Sequence, residues 1–210
     1  MNIIYIHGLD SDANSTKGVL LEKYCQQYHS DISVYRPDLN SAPEQVFEQL
    51  VKLVTELNRE ARTVLVGSSL GGYFSTLVSN HTGCAALLLN PSTQPHITLQ
   101  RFANELLVNT DNEGDALNNE ILHTTAGGWN ITHSDLQWFA AHPLEVINHP
   151  DKMAVLIKEG DELLNPYLSR DFYRGSDVRV TLQEGGDHRF SDFNEQLPMV
   201  IKTLQHLLQN

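Results

Sequence analysis

Short apolar runs alternate with helical patterns along nearly the whole chain, and this rhythm constrains the fold more than any other feature. Asn2–His7, Thr63–Val66, Ala85–Leu89 and Met153–Ile157 are continuous apolar stretches, as expected of strands buried on both faces of a parallel sheet. Two other runs alternate: Ile32 and Val34 flank Ser33, while Val178, Val180 and Leu182 are separated by Arg179 and Thr181. One wetter face places these two at or near the sheet edges. Ala42-Pro43-Glu44 opens a helix whose apolar stripe is Val46, Phe47, Leu50, Leu53, Val54 and Leu57. Leu70 to Asn80 is a second helix, and Ser191 to Leu208 a third that Pro198 is expected to kink or divide. Thr132-His133-Ser134-Asp135 resembles a capping box, followed by Leu136, Phe139 and Ala140 on one face. Alternation of this kind predicts an open, mostly parallel α/β sheet with helices on both sides.

Residues 92 to 150 interrupt the rhythm. This segment is rich in Asn, Thr, His and Gly and holds both tryptophans, Trp129 and Trp138. It is expected to be a helical and loop insertion after the fourth strand, inside a single domain spanning 1 to 210, because it is too weakly patterned to carry its own core. The 210 residues are 40% apolar and 19% charged, a balance that supports one sizeable core and excludes disorder of the bulk. No apolar run is long enough to cross a bilayer, and Met1 to Gly8 shows no basic region or small-residue cleavage site for export. With only Cys25 and Cys84 there is no disulfide framework, so a reduced, cytoplasmic setting is expected. Fourteen Lys and Arg stand against 26 Asp and Glu, a formal −12 with no basic cluster, which argues against a nucleic-acid partner. The expected partner is a small molecule, with no membrane association and a monomeric or weakly dimeric chain.

The sharpest chemical signal is Gly67-Ser68-Ser69-Leu70-Gly71, a G-x-S-x-G pattern between a buried strand and a helix. A serine on so sharp a turn projects its hydroxyl into open space only if the residues two positions away lack side chains. Ser69 is therefore the candidate nucleophile, with the N-terminal dipole of the next helix beneath it. An ordinary glycine-containing turn is the bland alternative. A phosphate loop is disfavoured, because the Walker lysine is missing.

A serine nucleophile needs a base and a group to orient that base, following in the order Ser, Asp or Glu, His at strand ends. Met153–Lys158 runs into Glu159-Gly160-Asp161-Glu162, which puts Asp161 in the acid's turn. Val178–Gln183 runs into Glu184-Gly185-Gly186-Asp187-His188, which puts His188 in the loop before the last helix, 27 positions beyond Asp161. Asp187 is the rival acid, but a sequence neighbour usually points away from the ring beside it; Glu159 and Glu162 are read as solvated. The first strand ends in His7-Gly8-Leu9, so the backbone N–H groups of Leu9 and Leu70 are the candidate oxyanion donors, with Gly8 allowing close approach. His7 is read as structural. The run Asp10–Lys17 either flanks the mouth of the site or is a plain surface loop. Phe102, Trp129, Trp138 and Phe139 form either an apolar substrate wall or ordinary core. His133, His142 and His149 have no ligand-like spacing, so no metal and no organic cofactor is expected.

Taken together, Tyr5-Ile6-His7-Gly8-Leu9-Asp10-Ser11, Gly67-Ser68-Ser69-Leu70-Gly71-Gly72-Tyr73, Leu89-Asn90-Pro91, Gly160-Asp161-Glu162 and Gly185-Gly186-Asp187-His188-Arg189-Phe190 resemble the small bacterial α/β-hydrolase esterases of the YqiA/YcfP type. The resemblance spans nearly the full chain but offers few matches between Thr93 and Pro150. It implies a compact α/β-hydrolase fold without the two antiparallel strands that open larger members, and carboxylic-ester hydrolysis by Ser69, Asp161 and His188. The expected sheet has about six strands in the order 2-1-3-4-5-6. An acyl-CoA thioesterase using the same triad is the alternative, ranked lower because the acidic chain repels a polyanionic substrate; a non-catalytic binding module on the same scaffold is the rival from another class. Because a general base must be neutral to act, ester turnover should rise with pH through roughly 6 to 7, the ordinary imidazole range. A rate that stays flat across that range would count against His188.

Overall fold

The computed structural model describes residues 1–107 and 120–209; residues 108–119, part of the expected insertion, and Asn210 lie outside the described residues. The chain begins with β1 (Asn2–Ile6), α1 (Thr16–Tyr28), β2 (Ser33–Tyr35), α2 (Pro43–Leu57), β3 (Thr63–Ser68), α3 (Leu70–Thr82) and β4 (Ala85–Leu89). The insertion follows as α4 (Pro95–Thr98), α5 (Gln100–Leu107), β5 (Ile121–Thr124), β6 (Asn130–Thr132) and α6 (His133–Ala141). A 3-10 turn at Pro150–Lys152 leads into β7 (Met153–Lys158), α7 (Pro166–Gly175), β8 (Arg179–Gln183) and α8 (Phe193–Leu207).

The main sheet runs β2-β1-β3-β4-β7-β8, and every neighbouring pair is parallel. This is the order expected from the sequence, with the two alternating segments at the edges. The strands between them are buried on both faces because successive side chains point to opposite sides. Ile4, Leu65, Leu88 and Val155 pack with Val46 and Leu50 of α2, Tyr73 and Val78 of α3 and Tyr173 of α7. Ile3, Val64, Leu87 and Leu156, one position away in each strand, pack with Leu21 of α1 and with Leu197, Val200 and Leu204 of α8. Each such aliphatic side chain contributes about 1.5–3 kcal/mol by leaving water.

Of the two outcomes expected at Pro198, division does not occur: α8 continues across it. Pro198 lies near the start of the helix, so its missing N–H affects one carbonyl, while burial of Leu197, Val200, Ile201 and Leu204 holds the helix to the sheet. The insertion is not only helices and loops, since β5 and β6 pair as an antiparallel ribbon. Each strand sends one residue inward, Leu122 and Ile131, while Ile121 faces outward, and segments so short carry no readable alternation. The capping box that starts α6 is present, with Thr132 Oγ1 accepting from Asp135 N–H and the Asp135 carboxylate accepting from Thr132 N–H. Among the described residues no helix is long and apolar enough to cross a membrane.

Both cysteines are buried, and burial pushes the Cys25 thiol up to about 11 and the Cys84 thiol up to about 12. Only the thiolate attacks a disulfide reagent. An aromatic disulfide at about pH 8 should therefore leave the native protein unmodified and titrate both thiols after unfolding in guanidinium. Rapid modification of the native protein would contradict this packing.

Candidate active site

A parallel sheet brings the C-terminal ends of all its strands to one edge. From β1 the chain builds first to one side, at β2, and then to the other, at β3, so the strand order reverses between β1 and β3. Crevices at such a reversal are where open α/β sheets bind ligands. β1 leads there into His7-Gly8-Leu9, and β3 leads there into Ser69.

Ser69 adopts φ 57°, ψ −119°, a conformation rarely held by a residue with a side chain. The turn is held on both sides: Ser69 N–H donates to Leu89 O at 3.0 Å, and Ser69 O accepts from Gly72 N–H at 2.9 Å and Ser92 N–H at 3.0 Å. The glycines two positions away make the turn sterically possible. A Cβ on Gly67 would overlap the Ser75 hydroxyl and Gly71 O, and one on Gly71 would overlap Ile6 O and stand 2.5 Å from His7 O.

Three dispersed side chains meet at this edge. The Ser69 hydroxyl lies 3.0 Å from His188 Nε2, and His188 Nδ1 lies 2.8 Å from Asp161 Oδ2. The other Asp161 oxygen accepts N–H bonds from Leu163 at 2.9 Å and Leu164 at 2.8 Å. Such a carboxylate takes the Nδ1 proton's hydrogen bond and leaves the Nε2 lone pair facing the serine. The Asp161 and His188 side chains are 2% and 11% exposed, so little water competes for that bond. Asp187, the rival acid, is turned elsewhere: its Oδ1 accepts from Ser191 N–H at 3.1 Å, and hydrogen bonding from the Ser191 side chain, with that backbone bond, holds its carboxyl below the usual range.

His7 holds the loop after β1. Its Nε2 accepts from Leu39 N–H at 3.1 Å and its Nδ1–H donates to Gly8 O at 2.9 Å, which defines the tautomer. A Cβ on Gly8 would stand 3.1 Å from Ser69 Cβ, so this loop passes directly beside the serine. Leu70 opens α3, where the first-turn N–H groups have no intrahelical carbonyl. Leu9 and Leu70, with Ser69 and His188, line a cavity of about 830 Å³. Ser11, Asn14 and Lys17 line it too, so the Asp10–Lys17 run borders the cavity.

Of the two readings of the aromatic residues, core is the one the packing supports for Phe102, Trp129 and Phe139. Phe102, Trp129 and Phe139 are buried in the cluster that contains Tyr73 and Phe74, and Trp138 lines a separate cavity of about 280 Å³ beside Phe47 and His142. The insertion reaches the larger cavity through Pro95, Leu99, Arg101 and Gly127. Glu162 is exposed, as a solvated carboxylate should be, yet it also accepts His188 N–H at 2.9 Å, a contact across 26 positions that no local pattern announces. Among the described residues, no group of three or more His, Cys, Asp or Glu side chains is arranged to hold a metal ion.

Solved structures place this architecture in a class. Est1E from Butyrivibrio proteoclasticus matches with a TM-score of 0.75 at 13% identity, covering 100% of this chain and 88% of that one. Alpha/beta hydrolase domain-containing protein 10 from mouse matches with a TM-score of 0.70 at 20% identity, covering 98% and 90% of the two chains. An extracellular alpha/beta-hydrolase from a Paenibacillus species matches with a TM-score of 0.61 at 15% identity, covering 97% and 98%. The fold is that of the α/β-hydrolases. Within that class, the chain belongs to the uncharacterised protein family UPF0227, whose sequence profile matches residues 2–205. This is the YcfP/YqiA type that the sequence blocks resemble.

Proposed function

We propose that this protein is a serine hydrolase that cleaves small carboxylic esters through an acyl-enzyme on Ser69. The observation that carries the reading is the hydrogen-bonded line from the Ser69 hydroxyl through His188 to Asp161 at the wall of an open cavity. In the first half-reaction Ser69 Oγ attacks the acyl carbonyl as His188 Nε2 takes its proton, and Asp161 holds the resulting imidazolium in place. The negative charge that develops on the carbonyl oxygen is met by the N–H groups of Leu9 and Leu70. Collapse of the tetrahedral intermediate breaks the ester C–O bond, and His188 returns the proton to the departing alkoxide. Water then attacks the acyl-enzyme with His188 again as base, releasing the carboxylic acid and restoring the serine. The chemistry needs no cofactor.

Leu9, Leu70, Pro95, Leu99, Leu163 and Leu164 supply an apolar side to the cavity for the acyl group. Lys17, Arg101 and Arg189 also line it, and these cations favour a second reading in which the leaving group is a negatively charged thiol, as in an acyl-CoA. Hydrolysis rates on p-nitrophenyl esters of rising chain length, an acyl-CoA and a peptide amide separate the readings. Fastest turnover of short esters supports the esterase. Turnover of the thioester alone supports the thioesterase, and turnover of none supports a binding module.

A further inference from the structure

Asn90 follows β4 and takes φ 42°, a left-handed conformation that asparagine tolerates better than most residues. It is 2% exposed, and its amide joins segments distant in sequence. Its Oδ1 accepts Lys158 N–H at the end of β7 at 2.8 Å. Its Nδ2 donates to Asp187 O at 3.1 Å and to His188 O at 3.3 Å. Lys158 O in turn accepts Asp161 N–H at 3.2 Å, which closes the turn that carries the acid. One buried amide thus spans the strand end before Asp161 and the loop that carries His188.

The same loop has a second attachment to β7. Lys158 Nζ is paired with Asp192 at 2.5 Å and lies 5.1 Å from the centre of the Phe190 ring. That pair holds the loop beyond His188, whereas the Asn90 amide bonds the carbonyl of His188 itself. Without the amide, two carbonyls and one N–H at the junction would lose buried partners.

We propose that Asn90 is a positioning residue that fixes the His188 loop in register with the Asp161 turn, a role that rests on the hydrolase reading above. It acts through the Asp161–His188 hydrogen bond and does not touch the reacting atoms. Asn90→Asp removes the donor while keeping the size, the tolerance for positive φ and an acceptor facing Lys158 N–H; it also brings a carboxyl charge, which Asn90→Gly does not. Asn90→Asp sets an oxygen against the carbonyls of Asp187 and His188. Asn90→Gly admits the same φ and removes the whole amide.

In both folded variants kcat should fall about 10- to 100-fold, as for small displacements of a catalytic group. KM should stay within about twofold, because the substrate-lining residues are untouched. The inflection of the kcat pH profile should move, and the downfield proton resonance of His188 Nδ1–H should shift or broaden. Wild-type kcat, pH profile and Nδ1–H resonance in both variants would overturn the proposal. So would failure of both to fold, which would assign Asn90 to the fold alone. If the wild-type protein turns over no ester, the hydrolase reading fails, and the Nδ1–H resonance still reports whether Asn90 sets the Asp161–His188 bond.

Discussion

Ser69→Ala is expected to lower ester turnover by about 10⁶-fold, because the proposed triad would act as a unit and lose its covalent step entirely. On the proposed reading, what would remain is the cavity with the Leu9 and Leu70 N–H groups, which would supply binding and charge stabilisation without a nucleophile. His188 would keep its bond to Asp161, since the Ser69 hydroxyl partners only Nε2. Folding should barely change. The turn is held by Ser69 N–H to Leu89 O and by Ser69 O to Gly72 and Ser92, bonds that alanine retains. A melting temperature within about 2 °C of wild type is therefore expected, in line with a substitution that disturbs neither packing nor main-chain bonding. Residual turnover at a tenth of the wild-type rate would place the nucleophile elsewhere.

Gly71→Ala should have the largest effect on the fold. The added methyl would overlap Ile6 O and press on His7 O, both main-chain atoms at the end of β1 that no rotamer change can relieve. Overpacking that forces main-chain movement costs about 3 kcal/mol. For a chain of this size that lowers the melting temperature by about 10 °C. The displaced segment is the one that carries Gly8 and Leu9 past the serine, so activity should fall with stability even below the melting transition. Thermal unfolding followed by circular dichroism, with turnover measured at low temperature, checks both. An alanine variant with wild-type melting and turnover would mean that β1 and α3 do not approach as described.

The sheet was legible because its physics is local. A strand buried on both faces must be apolar at every position, so Ile3–Ile6, Val64–Val66 and Ala85–Leu89 could be read without tertiary information. The edge strands were legible for the complementary reason, as the wetter faces of β2 and β8 appear as alternation. The Ser69 turn was visible because its strain demands small neighbours at fixed offsets. Other features depend on contacts between distant positions. Leu122 and Ile131 each anchor a strand of only a few residues, too short for a period to register. Trp129 and Phe139 have the same composition whether they line a cavity or fill a core, and only the packing of Phe139 against Tyr73 and Phe74, and of Trp129 against Phe139, assigns them to the core. Glu162 and Asn90 reach the His188 main chain through single hydrogen bonds, and nothing beside them in sequence records the partner. Leu89-Asn90-Pro91 stood out as a block, yet the block itself does not show where its amide points.

The most direct test of the serine nucleophile is intact-mass and peptide-level mass spectrometry of the protein after exposure to a fluorophosphonate. One phosphonyl adduct is expected, carried by the peptide containing Ser69, absent from Ser69→Ala and formed far more slowly in His188→Ala. An adduct on another residue, or one that persists in Ser69→Ala, would contradict a nucleophilic Ser69, and so would a wild-type protein that stays unmodified.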